Sequence, residues 1–232
     1  MADANVLDKV PLLVGLDRAE RESLTRDMRK RTYRRGDILF HRDDEGSLLY
    51  VIVSGLVRIY LPTGTGEEVT LDILKPGDIL GELAVFDDLP RSASAMALED
   101  LTVLTLDRVS VMASLAEYPK AAGRILAELS RRLRATNSMI EDIITLDVPG
   151  RICKKLLQLS AEHGTTTPQG IRIDVRLTQQ ELASMIGATR ESTNKVLRNF
   201  QARGVIRVDG QTLTILRPNL LRERSAVSGP EF

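Results

Sequence analysis

The densest chemistry in the chain lies in two short runs, Gly81-Glu82-Leu83-Ala84 and Pro90-Arg91-Ser92-Ala93. A glycine lets the backbone come close to a ligand. The Glu82 carboxylate can accept hydrogen bonds from sugar hydroxyls. The Arg91 fork and the Ser92 hydroxyl suit phosphate oxygens, and a charge-assisted bond of that kind is worth roughly 1.5–3 kcal/mol. Together these side chains make a clamp for an anion beside a sugar. The competing reading is a pair of solvated surface charges, which is what a Glu and an Arg in a loop most often are.

A second constellation lies near the C-terminus. Thr178-Gln179-Gln180-Glu181 has the form of a capping box, in which a hydroxyl and a carboxylate satisfy the open N–H groups at a helix start. Leu182, Ala183 and Ile186 supply its apolar face, Gly187 a tight turn, and Thr189 the cap of the next helix, which Gly204 ends. On that second helix Val196, Leu197 and Phe200 turn inward. Spacings of four place Arg190, Asn194 and Arg198 on one stripe, with Glu191 and Lys195 beside it. Two strands follow, Val205 to Val208 and Gln211 to Leu216, around an Asp209-Gly210 turn. Helix, glycine turn, helix and hairpin make a winged helix-turn-helix, whose second helix reads the major groove of double-stranded DNA. A charged face on an ordinary helix would only be solvated; this position favours DNA.

Between the two constellations runs a long helix from about Pro119 to Ile144. Leu126, Leu129, Leu133, Thr136, Ile140 and Ile143 step by threes and fours along it. That spacing is a coiled-coil seam and predicts a parallel homodimer, although the same stripe could pack on the protein's own sheet. Thr136 and Asn137 interrupt the seam with polar groups, which are usually kept for register or for a ligand. Leu146 ends the helix. Asp147, Val148, Pro149 and Gly150 form the expected hinge, since Pro149 disfavours helix at Val148 and Gly150 permits a bend. Arg151 to Glu162 then reads as an amphipathic helix, with Cys153 as a small core residue.

The clamp itself needs a scaffold. Residues 7–30 read as short helices. From Thr32 short apolar, β-branched runs alternate with glycine turns: Ile38 to Phe40, Leu48 to Val53, Val57 to Tyr60, Val69 to Leu74, Ala93 to Ala97 and Leu101 to Leu106. Such spacing predicts a jelly-roll-like β-roll over about residues 30–110. Gly36, Gly46, Gly55 and Gly77 read as its turn residues, and Gly81 alone as a point of ligand approach. The fold class is therefore α+β, with residues 1–118 a β-roll domain with N-terminal helices, 119–145 a dimerisation helix, 146–150 a hinge, 151–221 a winged helix-turn-helix domain and 222–232 a tail.

Composition narrows the function. Residues 146–232 carry 13 Lys and Arg against 8 Asp and Glu, the rest 19 against 24, so a basic C-terminal module sits on an acidic body. Aromatic residues make up only 3%, too few for an extended stacking platform for single strands. Only two histidines, His41 and His163, are present, and they fall in different expected domains. That argues against a metal-dependent enzyme on the β-roll and against a haem sensor, so no metal and no catalytic residue is expected. The lone Cys153 excludes an internal disulfide framework and a four-thiolate iron–sulfur cluster. No apolar run has the length of a membrane span and the N-terminus has no signal-peptide pattern, which predicts a cytoplasmic protein with no membrane partner.

The run G-E-L-A followed by P-R-S-A resembles the phosphate-binding cassette of cyclic-nucleotide-binding domains. With L-D-V-P-G-R-I at the hinge and the winged helix-turn-helix behind it, the chain from about residue 8 to residue 220 resembles the CRP/FNR-type transcription regulators. The resemblance implies Glu82 on the ribose 2′-hydroxyl and Arg91 and Ser92 on the cyclic phosphate. Backbone N–H groups around Gly81 to Ala84 and Ser92-Ala93 would complete the cradle. The family's Thr-Ser pair on the long helix, which contacts adenine from both subunits, is Thr136-Asn137 here. The cassette loop looks about one residue shorter than in the best-known member. The family's DNA-reading trio of Arg, Glu and Arg is Arg190, Glu191 and Lys195 here, which implies a GTGA-like palindromic operator. The implied effector is cAMP, and the implied partners are a second copy of the chain, operator DNA and RNA polymerase. Cyclic di-GMP, another small anion or no ligand at all are the alternatives for the sensor.

Overall fold

The computed structural model describes residues 10, 13, 25, 27–64 and 68–225. Most of the helical stretch expected over 7–30 lies outside the described residues, as does the tail from residue 226. The chain divides into two compact units, with the boundary inside the long helix between Arg134 and Ala135.

The first unit holds, among its described residues, β1 (Arg29–Tyr33), β2 (Ile38–Phe40), β3 (Leu48–Ser54), β4 (Val57–Pro62), β5 (Glu68–Leu74, of which 68–70 group with the second unit), β6 (Ile79–Leu80), β7 (Ser94–Ala97) and β8 (Leu101–Asp107). They form two four-stranded sheets, ordered β1-β8-β3-β6 and β2-β7-β4-β5. Strand β3 shows why the chain folds this way. Its apolar residues alternate, so Leu49, Val51 and Val53 enter one core cluster while Tyr50 and Ile52 enter another. Strand β8 does the same, with Leu104 and Leu106 on the first face and Leu101 and Val103 on the second. The second cluster adds Val57, Ala95 and Ala97 from the other sheet, so it is the layer between the sheets. Helices cover the other face. Short α1 (Glu82–Asp87) follows β6, α2 (Arg108–Glu117) follows β8, and α3 (Pro119–Thr145) comes next. Val85, Val111, Ala121 and Ile125 bring these three helices into the first cluster. Strands β1 and β6 were not read from sequence: β1 is a run of exposed basic residues, and β6 is only two residues long.

The expected seam on α3 splits in two. Leu129 turns with Ala121 and Ile125 onto the β-roll core, because steps of four keep residues on one face of a helix. Leu126, Leu133 and Ile140 recur every seven residues on a different stripe, and there Leu126 and Leu133 are 64% and 63% exposed. One face of the helix therefore packs on the β-roll, and the other is left exposed. Among the described residues, no helix is long and apolar enough to cross a membrane.

In the second unit α4 (Val148–His163), α5 (Gln179–Met185) and α6 (Arg190–Ala202) pack beside a four-stranded antiparallel sheet. Its strands are β9 (Gly164–Thr167), β10 (Gly170–Ile173), β11 (Ile206–Asp209) and β12 (Thr212–Ile215), in the order β11-β12-β10-β9. The β9–β10 hairpin was not anticipated, since G-T-T-T has no apolar alternation. The wing turn is one residue further on than Asp209-Gly210: Asp209 pairs with Thr212, so Gly210 and Gln211 are the loop. Gly210 takes φ of 63°, the left-handed region that a two-residue hairpin loop requires.

Two further expectations are corrected. The interruption after α3 is confined to Leu146 and Asp147. Val148, Pro149 and Gly150 form the first turn of α4, where a proline needs no hydrogen-bond partner for its nitrogen. Residues 222–225, expected in a tail, belong to helix α7 (Pro218–Ser225). Leu221 and Arg224 on it are buried, which holds the segment in place.

Candidate functional site

Arg91 is the centre of the first site. It is only 4% exposed, yet among the described residues no carboxylate is hydrogen-bonded to it. Its Nη1 donates to the Gly81 carbonyl at 2.9 Å and its Nη2 to the Leu48 carbonyl at 2.8 Å. Its main chain is pinned as well, since Arg91 N donates to Asp44 O at 2.8 Å and Asp43 N donates to Arg91 O at 2.9 Å. Burial lowers the Arg91 pKa from its ordinary value, while Tyr50, Glu82 and Asp44 act in the opposite direction. The Nε–H is buried without an acceptor. A buried donor left open in this way costs about 1–3 kcal/mol, and an incoming oxygen atom would relieve it.

Two glycines make room for the guanidinium. Gly81 has φ of 80°, and a Cβ there would stand 2.4 Å from Arg91 Nη1. A Cβ on Gly46 would stand 2.1 Å from Arg91 Nε. Gly46 has no positive φ, so its freedom to turn is not what the fold uses. Reading it as a turn residue is therefore corrected: its missing side chain is space for Arg91. Gly81 also caps α1, and no side chain caps that helix. The first N–H groups of a helix lack intrahelical partners, so those of Glu82, Leu83 and Ala84 form an electropositive opening beside Arg91. Ala84 and Ala93 are buried, whereas Leu83 and Ser92 are exposed.

Glu82 is 5% exposed and is held from α3. Arg132 Nη1 lies 3.0 Å from Glu82 Oε1, Arg132 Nη2 donates to the Ile79 carbonyl at 2.7 Å, and Arg132 Nε lies 3.0 Å from Glu128 Oε1. Arg131 also pairs with Glu128. Burial pushes the Glu128 carboxyl up, but the hydrogen bond from Arg131 and the charge of Arg132 outweigh it and hold the carboxyl below the ordinary glutamate range. Sequence reading missed Arg132. It lies on the helix face that carries Ala121, Ile125 and Leu129, so the inward periodicity was the available signal. Thr136 and Asn137 are exposed on the later part of α3, in the second unit.

In the second unit the caps form as the residues dictate. Thr178 Oγ1 accepts from Glu181 N at 3.1 Å, and Glu181 Oε2 accepts from Thr178 N at 2.6 Å. Thr189 Oγ1 accepts from Ser192 N at 3.2 Å and starts α6. On α6 Thr193, Leu197 and Phe200 are buried, while Arg190, Glu191, Lys195 and Arg198 are exposed and Asn194 is half-buried. Gln179 is exposed at the start of α5 and Thr178 half-buried. One helix therefore presents three cations and one acid to solvent, on a base packed by its apolar residues.

The junction at Leu146 and Asp147 is braced. Asp147 Oδ1 accepts from Gly150 N at 2.9 Å and caps α4, and its other oxygen pairs with Arg224. Arg151 Nη1 donates to the Leu146 carbonyl and its Nε to the Ile186 carbonyl, both at 2.8 Å. Lys154 Nζ lies 2.5 Å from Asp142 Oδ1 on α3. Burial pushes the Cys153 thiol up to about 12, so it stays a protonated core group.

Comparison with known proteins agrees with this geometry. The family model of the cyclic nucleotide-binding domain matches residues 30–118, and that of the Crp-like helix-turn-helix domain matches residues 150–224. The chain is 36% identical over 220 residues to a CRP-like cAMP-activated global transcriptional regulator of Mycobacterium tuberculosis, covering 95% of this chain and 98% of that one. Among solved structures it resembles the c-di-GMP responsive global regulator CLP of Xanthomonas campestris, with a TM-score of 0.77 and 26% identity over 86% of this chain and 99% of that one. It also resembles a CooA mutant from Carboxydothermus hydrogenoformans, with a TM-score of 0.74 and 28% identity over 88% and 90%.

Proposed function

The chain belongs to the CRP/FNR family of transcription regulators, and we propose that it is a homodimer that binds cAMP and, in response, palindromic operator DNA. Like its relatives it is a regulator with a cyclic-nucleotide-binding domain, and not an enzyme. The observation that carries the ligand reading is Arg91: a buried cation with a buried open donor, beside the uncapped start of α1. In this reading Arg91, Ser92 and the N–H groups from Gly81 to Ala84 and at Ala93 hold the cyclic phosphate. Glu82 accepts from the ribose 2′-hydroxyl. Thr136 and Asn137 meet the base, for which Asn offers both a donor and an acceptor.

The exposed stripe of Leu126, Leu133 and Ile140 supports a second copy as the partner of α3. Arg190, Glu191 and Lys195 read base edges in a GTGA-like half-site. Asn194, Arg198, Thr189, Thr178 and Gln179 complete the contacts, phosphates included. Residues around Asp147 to Gly150 pass the ligand's preference to the DNA-binding domain. RNA polymerase is the further partner, and the cytoplasm is where the protein acts.

The likeness to a c-di-GMP responsive regulator supports a second reading, in which the same fold senses cyclic di-GMP. Calorimetric titration of nucleotide-stripped protein with cAMP, cGMP and cyclic di-GMP separates the two. Saturable binding of cAMP in preference to the others is expected. Preference for cyclic di-GMP replaces the first reading with the second, and no binding of any of the three overturns both.

A further inference from the structure

A buried arginine is normally held by an acid. Arg91 is held by rings. Its guanidinium carbon lies 4.4 Å from the ring centroid of Phe40 and 5.7 Å from that of Tyr50. The two rings are neighbours, with centroids 5.6 Å apart and planes at 45°. Tyr50 is 4% exposed, and Tyr33 on β1 packs against the same cluster. Phe40 packs against the cluster between the sheets. Glu82 in the cassette is paired with Arg132 instead, and it and Asp44 act on Arg91 by charge without a hydrogen bond to its guanidinium.

This choice of neighbours has a chemical consequence. A carboxylate beside Arg91 would hold it but would also neutralise it and occupy the edge that an anion needs. A π face stabilises the same cation from above its plane and adds no net charge. The carbonyls of Gly81 and Leu48 then fix the fork within that plane. Positive charge and orientation are both kept for a ligand.

We propose that Phe40 and Tyr50 are positioning residues for Arg91, an aromatic wall that holds the guanidinium oriented and unquenched for a phosphodiester anion. The proposal rests on the reading of Arg91 as the phosphate ligand given above.

The test is a double-mutant cycle on the full chain, with cAMP affinity read by calorimetry and the melting temperature as a control. Phe40→Met keeps apolar volume but removes the ring, and about a fivefold to thirtyfold loss of affinity is expected, the range of a desolvated cation–π contact. Phe40→Tyr keeps the ring and should stay within about twofold of the wild type. In an Arg91→Gln background, which lacks the cation, Phe40→Met should cost almost nothing further. Tyr50→Met enters the same cycle, so the outcome does not depend on one variant folding. An equal loss from Phe40→Met with and without Arg91, or no loss in either, overturns the positioning role. An Arg91→Gln variant that binds cAMP like the wild type, or a wild type that does not bind it, overturns the phosphate reading as well.

Discussion

Removing the Arg91 guanidinium should leave the fold and take the ligand. On the proposed reading Arg91→Ala loses at least about tenfold in cyclic-nucleotide affinity, the weight of one charge-assisted bond. Arg91→Lys is impaired too, because an ammonium cannot reproduce a planar fork donating to two carbonyls. Calorimetry beside a thermal melt checks both. Glu128 allows a pH test at the same scale. Its carboxyl is held below the ordinary range in the folded chain by Arg131 and Arg132, against the effect of burial. A group with a depressed folded pKa contributes stability above its unfolded value, near pH 4.3, and loses it as pH falls through the folded value. Glu128→Gln should therefore melt earlier than the wild type at pH 7, and the difference should shrink below about pH 4. A difference that grows with acid would reverse the sign and sink this account.

At the scale of elements, α3 has two separate tasks. One face closes the β-roll through Ala121, Ile125 and Leu129 and carries Arg132 to Glu82. The other keeps Leu126, Leu133 and Ile140 exposed. A stripe of that size is costly to leave in water, and on the proposed reading a second copy of α3 covers it. If the proposed dimer forms there, Leu133→Asp should convert it to monomer without unfolding the β-roll, as sedimentation would show together with an unchanged far-UV spectrum. A variant that stays dimeric would send the search for the interface elsewhere. The same helix face includes Asn137, and Thr136 lies next to it. If the ligand touches both copies of α3 there, it favours one arrangement of the pair. Thr136→Ala should then reduce the effect of saturating cAMP on DNA affinity. Full recovery of DNA binding at saturation would leave Thr136 with ligand affinity alone.

For the whole molecule, a two-fold dimer requires a two-fold site. Half-site centres should lie about one helical turn, roughly 34 Å, apart. Arg190 suits a guanine and Glu191 a cytosine amino group, whereas Lys195, as a point donor, discriminates less. A randomised-site selection should recover GTGA-like palindromes. Glu191→Ala should relax the C·G position by roughly 1–3 kcal/mol while other positions hold. Arg198 stands further along α6, and its loss should weaken all sequences alike and flatten the salt dependence. Non-palindromic sites, or palindromes without the G and C, would refute this geometry.

The sequence by itself determined what is local. The strands from β2 to β8 other than β6 were legible as short apolar, β-branched runs between glycine turns, and the caps at Thr178 and Thr189 because their hydroxyls bond to N–H groups three residues on. Glu82 and Arg91 stood out as candidates by residue type and spacing, and the structure buries both. The sequence could not show that Gly46 is space for a guanidinium, since the two positions lie far apart in the chain and meet only when the sheets pack. Nor could it show that Arg132 holds Glu82, or that Arg224 reaches back to Asp147 and anchors residues 222–225 as part of a helix. The phase of α3 was undecided for the same reason. Its apolar residues fit two stripes, and only the position of the β-roll core decides which of them, Leu129, is drawn inward. Contacts between distant residues depend on how elements pack, and no periodicity along one chain records that.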